Sequence, residues 1–127
     1  MVVIYSTSNG KLRGRLQEAI ETVVSKECTE VYGSIDSFSK RLHGPHGGVD
    51  VAVLLAAGTR SLLDLLSLRE LLWDLKIILI LPDSHPDTVA KGHMLRPRFV
   101  SDCGSDFLEV AAVLQRMIGN MDINGAQ

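Results

Sequence analysis

The sequence predicts a single α/β domain in three layers, with helices on both faces of a five-stranded parallel sheet. Residues 49–57 and 76–81 carry unbroken apolar runs, which are typical of parallel strands buried on both faces. Segments with helical periodicity separate the apolar runs, as parallel strands require crossover connections between them. Because such crossovers are right-handed, we expect the strand order 2-1-3-4-5.

Each element follows from local residue chemistry. The β-rich run at residues 2–5 predicts the first strand, and small polar residues then form the turn into a helix. Apolar residues recur at helical spacing up to about Ser25, and Ser8 or Asn9 can cap the start of that helix. The remaining strands are expected at residues 28–33, 49–57, 76–81 and 98–100. The remaining helices are expected at residues 37–42, 59–74 and 87–95, and from a cap at Ser105 to about residue 119.

Length and composition indicate one globular domain. The chain has 127 residues, of which 46% are hydrophobic and 22% are charged, a balance typical of a folded domain. We place the domain at residues 1–119 and expect residues 120–127 to form a flexible polar tail. The net charge of -2 and the scattered Lys and Arg residues argue against a nucleic-acid partner.

Nothing in the sequence predicts a membrane span or an export signal. Residues 1–6 lack the basic segment of a signal peptide, and charged residues interrupt the Leu-rich region at 59–74. Cys28 and Cys103 lie far apart without metal-type spacing, which suits reduced thiols. These observations favour a cytoplasmic protein.

Three segments resemble a response-regulator receiver domain, over residues 2–118. They are the run Asp50-Val51-Ala52-Val53-Leu54-Leu55, the strand at 77–81, and Phe99-Val100-Ser101 before an amphipathic helix. The resemblance implies a flavodoxin-like fold. In such folds the ligand crevice lies at the carboxyl ends of the strands, which here end near residues 6–10, 56–60 and 81–85.

The residues that give receivers their chemistry are missing from this sequence. Receivers bind magnesium through acidic residues after strand one and accept phosphate on an aspartate that ends strand three. They also use a hydroxyl after strand four and a lysine after strand five. The matching positions here are Ser6 and Thr7, Leu55 or Ala56, Leu81 or Pro82, and Ser101 or Asp102. The comparison predicts a pseudo-receiver without aspartyl phosphorylation, catalytic residues, metal or cofactor.

A receiver without this chemistry is expected to act by protein–protein interaction. We predict a signalling or regulatory module related to two-component systems, which binds a protein partner or a second copy of itself. The surfaces available are the first helix and the face formed by the helix at 87–95, strand five and the last helix. The stretch 59–74 also has more Leu residues than one buried helix face needs, with Leu63 and Leu71 among polar residues. It either forms a partner surface or bends into two short helices that bury all of it, the more common outcome.

The loop after the first strand supports an alternative function. Its hydroxyls and backbone N–H groups could hold a phosphate at the start of the first helix, as in flavodoxins. The chain would then be a flavodoxin-like small-molecule or nucleotide-binding protein, or an enzyme. Ordinary helix capping explains the same residues, and the loop lacks a P-loop motif. The cofactor-binding residues on this interpretation are Ser6, Thr7, Ser8, Asn9 and Gly10.

Three smaller groups of residues have a functional and a structural interpretation. His43 and His46 share a loop but do not complete the ligand set that zinc needs. Asp83 and His85 could act as an acid/base pair for a Ser6 or Thr7 nucleophile, although turn chemistry explains them as well. A basic cluster before strand five could meet an acidic partner or simply be solvated; it consists of Lys91, His93, Arg96 and Arg98.

Overall fold

The computed structural model describes residues 1–7, 10–44, 49–104 and 107–126, with side chains as far as residue 118. The strands in this part of the chain are β1 (Val2–Ser6), β2 (Thr29–Tyr32), β3 (Val51–Leu55), β4 (Lys76–Leu81) and β5 (Phe99–Asp102). The α-helices are α1 (Lys11–Glu21), α2 (Ile35–His43), α3 (Thr59–Ser67), α4 (Arg69–Leu72), α5 (Pro86–His93) and α6 (Leu108–Ala126). A short 3-10 turn, Lys26–Cys28, precedes β2.

All neighbouring strands pair in parallel, in the order β2-β1-β3-β4-β5. This confirms the predicted fold class and strand order. The central strands β1 and β3 are buried along their whole length, and β4 is buried except at Lys76. These strands have unbroken apolar sequences because helices cover both of their faces, as predicted.

Two hydrophobic cores lie on opposite faces of the sheet. On one face, α1 and α6 pack through Leu16, Ile20, Val110 and Leu114. On the other face, α2 to α5 cover alternate residues of the same strands, and Phe38 of α2 is buried there. The two faces take alternate strand residues because successive side chains of a strand point to opposite sides.

The Leu-rich stretch at residues 59–74 forms two helices, α3 and α4, as expected from the interpretation that it bends and buries all of its apolar side chains. In an uninterrupted helix, the buried face of α3 would continue through Arg69 and Trp73. The break at Leu68 rotates the chain so that Leu72 is buried, while Arg69 and Trp73 lie at the surface. The cost of burying a guanidinium explains why the helix breaks there. The second part of that interpretation, complete burial, is wrong.

Most predicted elements begin and end within two residues of the observed bounds, and the largest differences are at the ends of two helices. Helix α1 ends at Glu21, several residues before Ser25, and α6 continues to Ala126, past the predicted end near residue 119. Ser8, Asn9 and Ser105, the predicted capping residues, lie outside the described residues. The flexibility of the tail at residues 120–127 stays a prediction. No helix of the described chain combines the length and apolar character needed to cross a membrane.

Candidate functional site

The carboxyl ends of all five parallel strands lie along the same side of the sheet, which we call the carboxyl edge. In the register of the sheet, Ser6 lies beside Leu55, and Leu81 lies beside Asp102. Residues that are far apart in sequence therefore meet at the topological switch point, where the chain leaves β1 and β3 in different directions. This is the edge at which a receiver would hold its metal and phosphoryl group, so its residues decide what chemistry the chain can perform.

The position of the phosphoacceptor is apolar and closed. Leu55 and Ala56 are fully buried, and the Ala56 N–H donates a hydrogen bond to the Ile80 carbonyl at 2.9 Å. Neither side chain has an oxygen that could form an acyl phosphate, and a carboxylate is required for that bond. An aspartyl-phosphate site is therefore excluded at this position.

Hydroxyl groups replace carboxylates after β1. Ser6 is buried, whereas Thr7 is exposed and its Oγ1 lies 2.9 Å from Ser61 Oγ in the first turn of α3. Gly10, the N-cap of α1, has φ 91°, a conformation that glycine adopts without strain. Ser8 and Asn9 lie outside the described residues, so of the five loop residues predicted to cradle a phosphate the structure describes only Ser6, Thr7 and Gly10.

Cationic side chains surround this part of the carboxyl edge. Lys11 and Arg13 lie in the first turn of α1, and Arg60 lies in the first turn of α3, which contains no acidic residue. Arg13 lies beside Gly33, the residue that follows β2 next to the end of β1, because a Cβ at Gly33 would lie 3.5 Å from Arg13 Nη1 and 3.9 Å from the Ser6 carbonyl oxygen. Positive charge therefore lies close to the end of β1. The sequence analysis missed these residues, although their positions within three residues of a strand-end loop were a usable signal.

Two carboxylates lie on the β4 and β5 side of the edge, but both complete turns. Asp83 Oδ1 accepts a hydrogen bond from the His85 N–H at 2.9 Å, and Asp102 Oδ1 accepts one from the Gly104 N–H at 2.8 Å. Hydrogen bonds from the His85 backbone and the Thr88 side chain hold the pKa of Asp83 below its usual value. Within the described ranges, His, Cys, Asp and Glu residues form no group of three or more that could hold a metal ion.

The histidines singled out by sequence do not form a catalytic or metal site with their suggested partners. His85 follows β4 and Ser6 ends β1, and β3 lies between these strands, which separates the two by two strand spacings, about 10 Å. His85 Nδ1 instead accepts a hydrogen bond from the Asp87 N–H at 3.3 Å and caps α5. His43 is exposed at the end of α2, with Nδ1 2.8 Å from the Ser39 carbonyl oxygen, and His46 lies outside the described residues.

A cavity of about 290 Å³ opens at the opposite edge of the sheet, where the strands begin. Val23, Val24 and Ile118 form much of its wall, and Cys28 and Asp50 contribute polar atoms. Sequence analysis does not single out this space, because its walls come from segments that look like ordinary core. The cavity lies across the sheet from the carboxyl edge and is not part of that site.

Large apolar side chains remain at the surface on both layers of helices. Leu63 on α3 is 50% exposed, Trp73 after α4 is 48% exposed, and Met94 after α5 is 54% exposed. Leu108, at the start of α6, is 67% exposed. Leu71, which the sequence analysis grouped with Leu63, is half-buried and packs against the core. The Leu-rich stretch therefore bends, as one of the two predicted alternatives required, but it does not bury all of its apolar side chains, and a partner surface at Leu63 stays a prediction.

Comparison with known proteins gives a fold and no family. No family model and no curated protein matches the chain. A structure from Burkholderia pseudomallei, described as a pilus assembly-related protein, superposes with a TM-score of 0.61 at 17% identity, covering 91% of this chain and 87% of that one. A structure from Burkholderia thailandensis, described as a pilus assembly protein (CpaE), gives a TM-score of 0.62 at 16% identity, with 93% and 97% covered. At this identity the likeness establishes the five-stranded flavodoxin-like fold over nearly the whole chain.

Proposed function

We propose that this chain is a receiver-like regulatory module that is never phosphorylated and acts by binding another protein or a second copy of itself. The observation that carries this proposal is the composition of the carboxyl edge. Buried Leu55 and Ala56 occupy the position of the phosphoacceptor, and Lys11, Arg13 and Arg60 lie where metal-binding carboxylates would be needed.

The electrostatics of the edge support this interpretation. A divalent cation needs several oxygen ligands and is repelled by cationic groups. Near β1 it would meet the Arg13 guanidinium beside Gly33 as well as the carboxylate of Asp64, whose charge acts on Tyr5. A receiver-like fold that lacks the phosphorylation chemistry still has the surfaces of its helices. We therefore propose that binding through these surfaces is the function of the chain.

The descriptions of the two similar structures suggest which kind of partner the module binds. Both are described as pilus assembly proteins, so we propose that the partner is a component of a comparable assembly machinery in the cytoplasm. We propose that exposed apolar side chains such as Leu63 and Trp73 contribute to the contact with this partner.

The first test is exposure of the purified protein to acetyl phosphate, and separately to beryllofluoride, each with magnesium. Intact-mass spectrometry is expected to detect no added phosphoryl group, and chemical shifts of the residues at the carboxyl edge are expected to stay unchanged. Incorporation of phosphate, or a beryllofluoride-dependent change at Leu55 or Ala56, would overturn the proposal.

The second test concerns binding. A photoreactive amino acid is placed at Leu63 and, as the matched control, at the exposed Lys40 of α2. In cells that express the protein naturally, we expect a discrete cross-linked product from position 63 and none from position 40. Equal labelling at both positions, or none at either, contradicts a defined docking surface.

A second function is favoured by one specific feature, the cluster of cations and hydroxyls around the start of α1. This cluster combines groups that can bind a small anionic ligand, and it supports the alternative function, a flavodoxin-like or nucleotide-binding protein. Its members are Thr7, Gly10, Lys11 and Arg13. Native mass spectrometry of freshly purified protein distinguishes the two functions. A retained nucleotide, flavin or phosphate ester would favour the alternative, whereas a ligand-free monomer or dimer favours the docking module.

A further inference from the structure

Trp73 and Arg96 form an exposed pair that lies outside the carboxyl edge and has no role in the absence of phosphorylation proposed above. The Arg96 guanidinium lies over the Trp73 ring, 4.8 Å from its centroid. Trp73 follows α4 and Arg96 follows α5, so both lie at the edge where β4 and β5 begin. Arg69, one helical turn before Trp73, does not take part in this contact, because its Nη1 donates a hydrogen bond to the Leu66 carbonyl at 3.1 Å.

Stacking leaves the hydrogen-bonding groups of Arg96 available. A guanidinium that lies over a ring uses its face, while its N–H donors point outward in the plane. Among the described residues, no carboxylate lies within salt-bridge distance of Arg96 or Arg98. The ring therefore holds Arg96 in a defined orientation and leaves a fork of donors facing solvent, which is a preorganised binder of carboxylate.

The backbone at Arg96 adds an independent observation. Arg96 has φ 55°, in the left-handed region that glycine or asparagine occupies more easily. The residue directly follows the closing turn of α5, in which the Arg96 N–H donates a hydrogen bond to the His93 carbonyl at 3.0 Å. The end of the helix therefore fixes the direction in which the Arg96 side chain leaves the backbone.

Charge is segregated around this pair. Residues 88–101 contain Lys91, Arg96 and Arg98 and no Asp or Glu, although the whole chain carries a net charge of -2. Met94, two residues before Arg96, offers an exposed apolar side chain beside these cations. The acidic residues close to Trp73 in the sequence are Glu70, in α4, and Asp74, directly after Trp73.

From these observations we infer that the Trp73–Arg96 pair, with Met94 and Arg98, is the docking site for an acidic protein segment. The segment recognised carries carboxylates next to an apolar side chain, so that carboxylate oxygens meet the guanidinium edge and the apolar group covers the exposed part of Trp73. The inference rests on the proposed protein-binding function and names the chemistry of the partner.

Charge favours an acidic peptide over the other anionic partners. A membrane surface is bound by clusters of roughly four to eight cations, and here Glu70 and Asp74 offset a smaller group. Nucleic acid would meet a chain of net negative charge, which weakens its sequence-independent attraction. A local cluster of two or three cations around an aromatic ring suits a short segment with one or two carboxylates.

The first experiment measures the local potential at Trp73, the single tryptophan of the chain, so that its fluorescence reports only on this site. Relative to free N-acetyltryptophanamide, iodide is expected to quench the emission more efficiently than caesium does, and substitution Arg96→Gly is expected to reduce that difference. The control Lys26→Ala removes the same charge elsewhere and is expected to leave quenching unchanged. An iodide-to-caesium ratio in the unaltered protein equal to that of the free tryptophan derivative would overturn the inference.

The second experiment measures binding in the same fluorescence assay. A synthetic peptide in which pairs of glutamates flank single leucines is expected to shift the emission, and its glutamine counterpart is expected to bind about tenfold more weakly or worse. Arg96→Gly is expected to weaken binding to a similar extent while the folded stability is maintained or raised, because glycine relieves the backbone strain. Arg96→Lys is expected to lose much of the affinity as well, since lysine keeps the charge without the planar fork.

Other outcomes identify which proposal fails. If anionic phospholipid vesicles shift the emission and the peptide does not, the occupant is a membrane and the acidic-segment inference is wrong. If the peptide has no effect while position 63 still cross-links a partner and no phosphorylation occurs, the proposed function stands and this docking site does not. If the protein is phosphorylated, the proposed function fails whatever the peptide does.

Discussion

At the scale of single residues, two tyrosines on neighbouring strands have opposite hydrogen-bonding states. The Tyr5 ring is buried and stacks on Phe38, with centroids 5.1 Å apart, and its hydroxyl has no hydrogen-bond partner in the described structure. Burial, with a smaller contribution from the charge of Asp64, raises the pKa of Tyr5. The hydroxyl of Tyr32, in contrast, donates a hydrogen bond to Glu30 Oε1 at 2.8 Å.

We therefore expect opposite effects from removing the two hydroxyls. Tyr5→Phe removes a buried, unpaired polar group and should raise the free energy of unfolding by about 1 kcal/mol, whereas Tyr32→Phe should lower it by about 0.5–1 kcal/mol. Urea denaturation of both variants beside the unaltered protein measures the difference. A loss of stability in Tyr5→Phe equal to that in Tyr32→Phe would show that the Tyr5 hydroxyl has a partner after all.

At the scale of elements, helix α5 lies so close to β4 that a Cβ at Gly92 would displace two leucine side chains of that strand. A Cβ at Gly92 would lie 2.9 Å from Leu81 Cδ2 and 3.0 Å from Leu79 Cδ2. Gly14 in α1 has no such neighbour, since nothing lies within 4 Å of its Cβ position. Glycine is therefore needed for close packing at Gly92 in α5, whereas at Gly14 in α1 packing does not require it.

The matched substitutions Gly92→Ala and Gly14→Ala separate these roles. In both helices alanine gains about 1 kcal/mol of helix propensity over glycine. At Gly14 that gain should appear as increased stability, while at Gly92 the added methyl should cost about 1–3 kcal/mol through overpacking and give a net loss or no gain. Chemical denaturation measures both values. Equal stabilisation at the two positions would mean that α5 can move away from β4 without cost.

At the scale of the whole molecule, the sheet order keeps the two cysteines apart. Cys28 is exposed before β2 and Cys103 is half-buried after β5, at the two outer strands and at opposite ends of them. Four strand spacings separate β2 from β5, about 19 Å, which is far beyond the reach of a disulfide. Burial, followed by the neighbouring charge of Asp102, raises the pKa of the Cys103 thiol.

The two thiols should therefore differ in reactivity and never pair within one chain. In native protein at mildly alkaline pH, iodoacetamide is expected to modify Cys28 quickly and Cys103 slowly, because the thiolate is the reactive form. Mass spectrometry of proteolytic fragments over time gives the two rates, with unfolded protein as the control in which the rates converge. Under oxidising conditions any disulfide should join two molecules, and a disulfide within one chain would contradict the strand order.

The sequence by itself determined the fold class and the order of the strands, and it is the basis of the proposal that receiver chemistry is missing. These are consequences of local composition, since an apolar run buried on both faces and a missing carboxylate can each be recognised without tertiary contacts. Strand β4 was predicted at its observed bounds for this reason, and Leu55 or Ala56 was assigned to the phosphoacceptor position on the same ground.

Only the tertiary structure decided which residues from distant segments meet. Arg13 lies beside Gly33, next to the end of β1, and Arg96 lies over Trp73, because the crossovers bring helices to particular strands. The break at Leu68 also depends on tertiary packing, since the sheet must accept Leu72 and exclude Arg69. Contacts between residues far apart in sequence depend on the relative placement of elements, and a periodic pattern within each element carries no information about that placement.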